Sequence, residues 1–356
     1  MKRSVLLLLI VLCALSQGIA QQPVTIPGSA LRTIQSTIVN QEYALHISLP
    51  RGYAESNKKY PVIYLMDSQW DFPLVTALYG EQYYDGFVPE VIIVGVTWGG
   101  TNPKPDSLRA RDYTPTKVNG APQSGGATTF LSFMRKELFP FIESNYKADK
   151  DNRVLMGCSL GGLFTLYALF TEPDLFKGYV AASPAFGWDN EVLRKYEQQY
   201  FDKKDASPKS LFVCMGGVER SVPGYNKLVQ QFTARNYKNI KLESRVLENI
   251  GHSGTKGEGY ERGMQWVFKR PELQLDVAVL NQYVGKYGNN IEFKNENNQL
   301  AMYFGPTNKL FLYASNATDF YSTSEYFNVR FKIKDGKVEG YDLEGFNGTR
   351  FISKNQ

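Results

Sequence analysis

The amino-acid sequence predicts an α/β fold: a mostly parallel, doubly wound sheet with helices on both faces, plus a small antiparallel C-terminal β domain. Three observations carry this. Short apolar runs recur at residues 61–66, 91–97, 153–157, 178–182, 210–215 and 241–247. Runs without polar alternation belong to strands buried on both faces, as in a parallel sheet. Helix-period stretches separate most of them, and strand–helix alternation over some 220 residues is the pattern of a doubly wound sheet. Near residue 272 the texture changes to period-two alternation, the mark of half-buried antiparallel strands.

The elements follow in order. Lys2 and Arg3 precede an apolar run of 11 residues, Val5 to Leu15, and small residues Gly18 and Ala20 end the segment. A basic start, a short apolar stretch and a small-residue end describe a secretory signal cleaved after Ala20. The run is too short to span a bilayer, which takes ~20 apolar residues. Export to the periplasm or the exterior is therefore expected, with no membrane span. Residues 34–39 and 43–49 read as a hairpin at the start of the sheet. Residues 99–126, rich in Gly and Pro, read as a long functional loop. Phe130, Leu131, Met134, Leu138, Phe141 and Ile142 share one face of a helix near 127–146. Leu163, Leu166, Tyr167 and Phe170 line the next helix, Leu228, Val229, Phe232 and Tyr237 a third, and Met264, Val267 and Phe268 a fourth. Beyond a short helix at 275–280, Phe327, Val329, Phe331 and Ile333 alternate up to the hairpin turn Asp335-Gly336. The expected division is a signal peptide at 1–20, an α/β domain at 21–271 and a β-rich domain at 272–356.

Composition narrows the function. Charged residues are 21% and the formal charge is +5, with two of the positives in the leader, so no nucleic-acid partner is expected. Two histidines in 356 residues leave no His/Cys zinc cluster, and no cofactor is expected. Cys158 and Cys214 fall on strands with a third strand between them. That puts them ~9–10 Å apart, too far for a disulfide.

Gly157-Cys158-Ser159-Leu160-Gly161 matches G-x-S-x-G and sits between an apolar strand and a helix, the placement of a nucleophilic serine on a tight turn. The flanking glycines give the strained turn room. A serine hydroxyl needs a base. His46 lies within an N-terminal strand and reads as structural, whereas His252 follows the last strand of the sheet. The loop after strand 210–215 carries Glu219 as the acid that orients the imidazole, with Asp189 and Glu191 as fallbacks. Oxyanion donors are expected from the amides of Leu160 and Gln69, with Ser68 as the alternative to Gln69. Arg109, Arg111, Tyr113 and Trp188 are the candidates for a substrate pocket.

The chain resembles the esterase-D-like branch of the α/β-hydrolases, which holds trilactone siderophore esterases, feruloyl and acetyl-xylan esterases, and mycolyltransferases. The resemblance rests on residues 43–53 and 60–67, Arg111-Asp112-Tyr113-Thr114-Pro115-Thr116, residues 157–164, Ala181-Ala182-Ser183-Pro184 with Trp188-Asp189, and Gly251-His252. It implies a serine esterase acting through Ser159, His252 and Glu219 on small-molecule or oligosaccharide esters. The chain departs from the branch in having Ser68 after Asp67, where glycine is usual, and Cys158 before the serine, where histidine is common. A non-catalytic ligand- or carbohydrate-binding protein and an acyltransferase are the alternatives.

Overall fold

A computed structural model describes residues 24–205, 207–345 and 348–355. The leader and its cleavage site lie outside the described residues. The first sheet contains β1 (Ser29–Ser36), β2 (Gln41–Ser48), β3 (Tyr60–Leu65), β4 (Ile92–Trp98), β5 (Ala148–Cys158), β6 (Gly178–Ala182), β7 (Lys209–Gly216) and β8 (Ile240–Leu247). Its order is β1-β2-β4-β3-β5-β6-β7-β8. Strands β3 to β8 run parallel, and β2 pairs antiparallel with both β1 and β4. Strands β3 to β7 carry the expected apolar runs and bury most of both faces, but β8 corrects the sixth run: at the sheet edge it pairs with β7 alone, and Lys241, Arg245 and Val246 are exposed. Alternate residues of β3 feed different cores: Val62 and Tyr64 one, Ile63 and Leu65 the other.

The helices are α1 (Ser68–Tyr84), α2 (Pro105–Tyr113), α3 (Ala127–Phe133), α4 (Phe139–Asn145), α5 (Leu160–Thr171), α6 (Leu193–Lys203), α7 (Val222–Arg235), α8 (Thr255–Val267) and α9 (Val277–Tyr283). Helix α2 corrects the reading of 99–126 as a continuous loop: its Pro105 start and its short buried side, Ala110, Asp112 and Tyr113, give too little periodicity to register. The helix expected near 127–146 forms as α3 and α4 joined by a π-helical turn at Met134–Leu138. Pro140, second in α4, has no N–H to donate and would clash with the carbonyl four residues back. The wider turn absorbs that defect.

The C-terminal region is an antiparallel sheet of eight strands in chain order: β9 (Gly285–Tyr287), β10 (Ile291–Glu296), β11 (Gln299–Phe304), β12 (Lys309–Ala314), β13 (Asp319–Tyr321), β14 (Phe327–Lys334), β15 (Lys337–Gly345) and β16 (Gly348–Ser353). A bridge between Tyr287 and Lys354 brings its two edges together, so the sheet nears a barrel. Tyr283 of α9 stacks on Phe331 inside it, ring centroids 4.0 Å apart. Lys58 with Glu344, Arg270 with Asn328, and the Leu273 amide on the Ala314 carbonyl tie the barrel to the first sheet. No helix among the described residues is long and apolar enough to cross a membrane.

Candidate active site

In a parallel sheet the carboxyl ends of the strands share one rim, and loops there converge. Ser159 stands on that rim between β5 and α5, with φ 59° and ψ −117°. This is a conformation that L-residues avoid, held by its surroundings. The Ser159 amide donates to the Ala182 carbonyl at 3.0 Å, and its own carbonyl accepts from Leu163 and Ala185 at 2.9 Å. Space around the turn is tight, and Gly157 is sterically required. A Cβ on Gly157 would lie 2.6 Å from the Gly161 carbonyl, and one on Gly162 would lie 3.0 Å from the Ala182 oxygen.

His252 and Glu219 are brought together on the same rim, with Nδ1 2.6 Å from Oε2. The imidazole side chain is 49% exposed and the carboxylate 11%. The other carboxylate oxygen accepts from the Gly216 amide at 2.9 Å and from Ser183 Oγ. Gly216 must be glycine, because a Cβ there would meet the Ile250 carbonyl at 2.5 Å. Burial works to raise the Glu219 pKa, but the hydrogen bonds from Ser183, His252 and Gly216 outweigh it and hold the carboxyl below its usual range. Thr255 Oγ1 donates to the His252 carbonyl at 2.7 Å, fixing the loop that carries the ring. Ser159 reaches this cluster through Ala182 and Ser183, which are adjacent in the chain. No direct hydrogen bond joins Ser159 Oγ to His252 among the described residues; such pairs commonly tighten only when substrate binds.

Leu160 opens α5 and Gln69 is the second residue of α1. Both amides therefore lie in first turns, where N–H groups have no acceptor within the helix. The two helix starts are packed together: Asp67 Oδ2 and Met66 Cβ each lie 3.2 Å from where a Gly161 Cβ would be. Gln69 Oε1 accepts from Thr97 Oγ1 at 2.7 Å. His46 Nδ1 lies 2.8 Å from Ser68 Oγ, and burial pushes its pKa down, in keeping with a structural histidine.

The pocket candidates are placed differently from one another. Arg109 binds Asp67 with two hydrogen bonds, 3.0 and 2.7 Å, and its guanidinium lies 5.6 Å from the Trp70 ring centroid. Arg111 is engaged by Asp112, whose carboxylate also accepts from Tyr43 and Trp98. Tyr113 has no exposed surface; it packs on Phe130 and Phe164, and its hydroxyl accepts the Asp67 amide. Its place is thus in the core behind the rim, and it does not line a pocket. Trp188 is half-buried, with Nε1 donating to the Thr116 carbonyl at 3.3 Å. Sequence reasoning gave no role to Ser183, Thr255 or the Asp71–Lys256–Tyr260 cluster that joins α1 to α8. The available signal for Ser183 was a small polar residue just after β6, the strand beside the one that leads into Ser159. Cys158 and Cys214 are free and buried, one strand apart on either side of β6, as expected. Among the described residues no cluster of His, Cys, Asp or Glu could hold a metal ion.

Residues 36–247 match the Esterase family model. The ferri-bacillibactin esterase BesA of Bacillus subtilis is 32% identical over 248 residues, 64% of this chain and 85% of that protein. A siderophore triacetylfusarinine C esterase of Aspergillus fumigatus is 27% identical over 238 residues, 64% of this chain and 80% of that protein. The crystal structure of an IroE-like serine hydrolase from Shewanella oneidensis superposes with a TM-score of 0.62 at 28% identity, covering 72% of this chain and 85% of that one. The chain belongs to the esterase family, within the siderophore- and feruloyl-esterase branch of the α/β-hydrolases, and is a carboxylic ester hydrolase.

Proposed function

We propose that this member of the esterase family is an exported serine hydrolase that opens siderophore-type lactone esters through a Ser159–His252–Glu219 triad. The observation that carries the reading is the 2.6 Å contact between His252 and Glu219 on the rim that bears strained Ser159. Ser159 Oγ attacks the ester carbonyl while His252 Nε2 takes its proton. Glu219 holds the proton on Nδ1 and stabilises the imidazolium. The Leu160 and Gln69 amides receive the oxyanion. Collapse of the intermediate expels the alcohol, which leaves with the proton from His252, and the acyl group remains on Ser159. A water deprotonated by His252 then releases the acid and restores the hydroxyl. The siderophore esters named for the two sequence relatives support the substrate class.

The test compares wild type and Ser159→Ala on ferric enterobactin, methyl ferulate and p-nitrophenyl esters, with fluorophosphonate labelling alongside. Trilactone cleavage and labelling, both lost in Ser159→Ala, are expected. Preference for methyl ferulate would replace the substrate class with plant-polysaccharide esters. Products bearing a second alcohol would make the enzyme an acyltransferase. Absence of both labelling and turnover would leave a ligand-binding protein. Mature protein beginning at Gln21 would establish export.

A further inference from the structure

Away from the rim, a cavity of about 330 Å³ opens where the far end of α8 and the segment after α1 meet the barrel near β13. Trp266 lies roughly 16 Å along α8 from Thr255, so the cavity is separate from the ester-cleaving site. Its aromatic lining is Phe87, Phe212, Trp266 and Tyr321, of which Phe87 is exposed, Trp266 half-buried, and Phe212 and Tyr321 buried. Its acids are already neutralised: Glu243 pairs with Arg245 at 2.9 Å and Glu272 with Lys269 at 3.3 Å. Arg270 is different. Its guanidinium donates to Asn328 Oδ1 and lies 4.8 Å from the Tyr321 ring centroid, and no carboxylate among the described residues forms an ion pair with it. Burial pushes its pKa down, and the opposing influence of Tyr326, Tyr321 and Glu344 is too weak to offset it.

A cavity of this volume with aromatic walls and, among the described residues, one lining cation outside any ion pair has the make-up of a small-molecule site. A neutral sugar would cover the rings and leave Arg270 without an anion. Inorganic phosphate would pair with Arg270 and leave the rings wet. We propose that the cavity binds a small aromatic carboxylate, with its carboxylate on Arg270 where that cation adjoins Tyr321, and its ring against Trp266 and Phe87. Because Arg270 and Tyr321 come from either side of the domain junction, the ligand would bridge the two sheets.

Isothermal titration of the full chain with benzoate tests this, with benzyl alcohol and inorganic phosphate as comparison probes. Saturable benzoate binding is expected, weakened about tenfold or more in Arg270→Gln, the loss of one charge-assisted hydrogen bond. Trp266→Leu should weaken it as well. Arg262→Gln, at an exposed lining residue loosely paired with Glu258 at 3.9 Å, should weaken benzoate by a smaller factor than Arg270→Gln, and an equal or larger loss would count against Arg270 as the anchor. Ester hydrolysis by Arg270→Gln should equal wild type, so this site and the triad fail or stand separately. Benzoate binding unchanged in both Arg270→Gln and Trp266→Leu would overturn the proposal. So would phosphate binding as tightly as benzoate, or no benzoate binding by wild type.

Discussion

Replacing Glu219 by glutamine changes one atom and removes one charge, so its effect can be worked from the site. All three partners of the carboxylate donate: His252 Nδ1 to Oε2, and the Gly216 amide and Ser183 hydroxyl to Oε1. A glutamine that keeps its oxygen for Gly216 and Ser183 turns its NH2 toward Nδ1. The ring must then carry its proton on Nε2, the tautomer that cannot accept one from Ser159. The lost charge adds to this. Centres about 4 Å apart interact by ~1 kcal/mol in water and ~4 kcal/mol at an effective dielectric of 20. With the imidazole half-exposed and the carboxylate nearly buried, about 2–3 kcal/mol is a reasonable middle value. At 1.36 kcal/mol per decade, kcat should fall ~10²-fold, with KM little changed. The assay is p-nitrophenyl acetate hydrolysis at saturating substrate, with thermal unfolding to check the fold. Glu219→Ala should be no worse than Glu219→Gln, since it leaves the tautomer free. A Glu219→Gln enzyme with wild-type kcat would refute the reasoning and remove Glu219 from the triad.

Ser183→Ala removes a hydrogen bond that helps keep the Glu219 carboxyl below the usual carboxylate range. A depressed carboxyl stabilises the fold above its unfolded pKa, and that contribution fades as pH falls through the folded value. The acid limb of the melting-temperature profile should therefore move to higher pH in Ser183→Ala, and an unmoved limb would contradict it. Arg109→Ala leaves Asp67, whose side chain is 2% exposed, without its counter-charge. Urea unfolding should show a loss of about 3 kcal/mol or more; a KM effect at unchanged stability would instead mean that Arg109 holds substrate. Burial pushes the Cys158 and Cys214 thiols up to about 12. Neither should react with a disulfide reagent at pH 8 in the native protein, and both should react once it is unfolded; fast native labelling would count against their burial.

The parallel strands were legible because burial on both faces leaves little room for polar residues, and the turn at Ser159 because its glycines answer to close contacts. Helix α1 was not legible: it carries Pro73 in its body and spreads its apolar residues around the axis. Helix α6 hid for another reason. One of its buried positions is Glu197, fully enclosed and satisfied by Tyr237, Arg235 and Gln231, so the inward face reads as polar. At the site, residues fixed by the local turn could be named from the chain alone. Of those held by long-range pairing, His252 and Glu219 could be named from their place after the strands, whereas Ser183 could not. Arg109 looked like a free loop cation until the fold brought it to Asp67, 42 residues back, whereas Arg111 takes its chain neighbour Asp112. Ser183 gained a role only when β6 came to lie between β5 and β7.

The twisted backbone at residue 159 has a price in everyday robustness. Glycine tolerates that geometry freely, whereas serine does not. A descendant that abandoned chemistry and let this position drift to glycine would become hardier toward heat at no loss to its architecture. On the proposed role of Ser159, turnover and thermal endurance pull this one position in opposite directions.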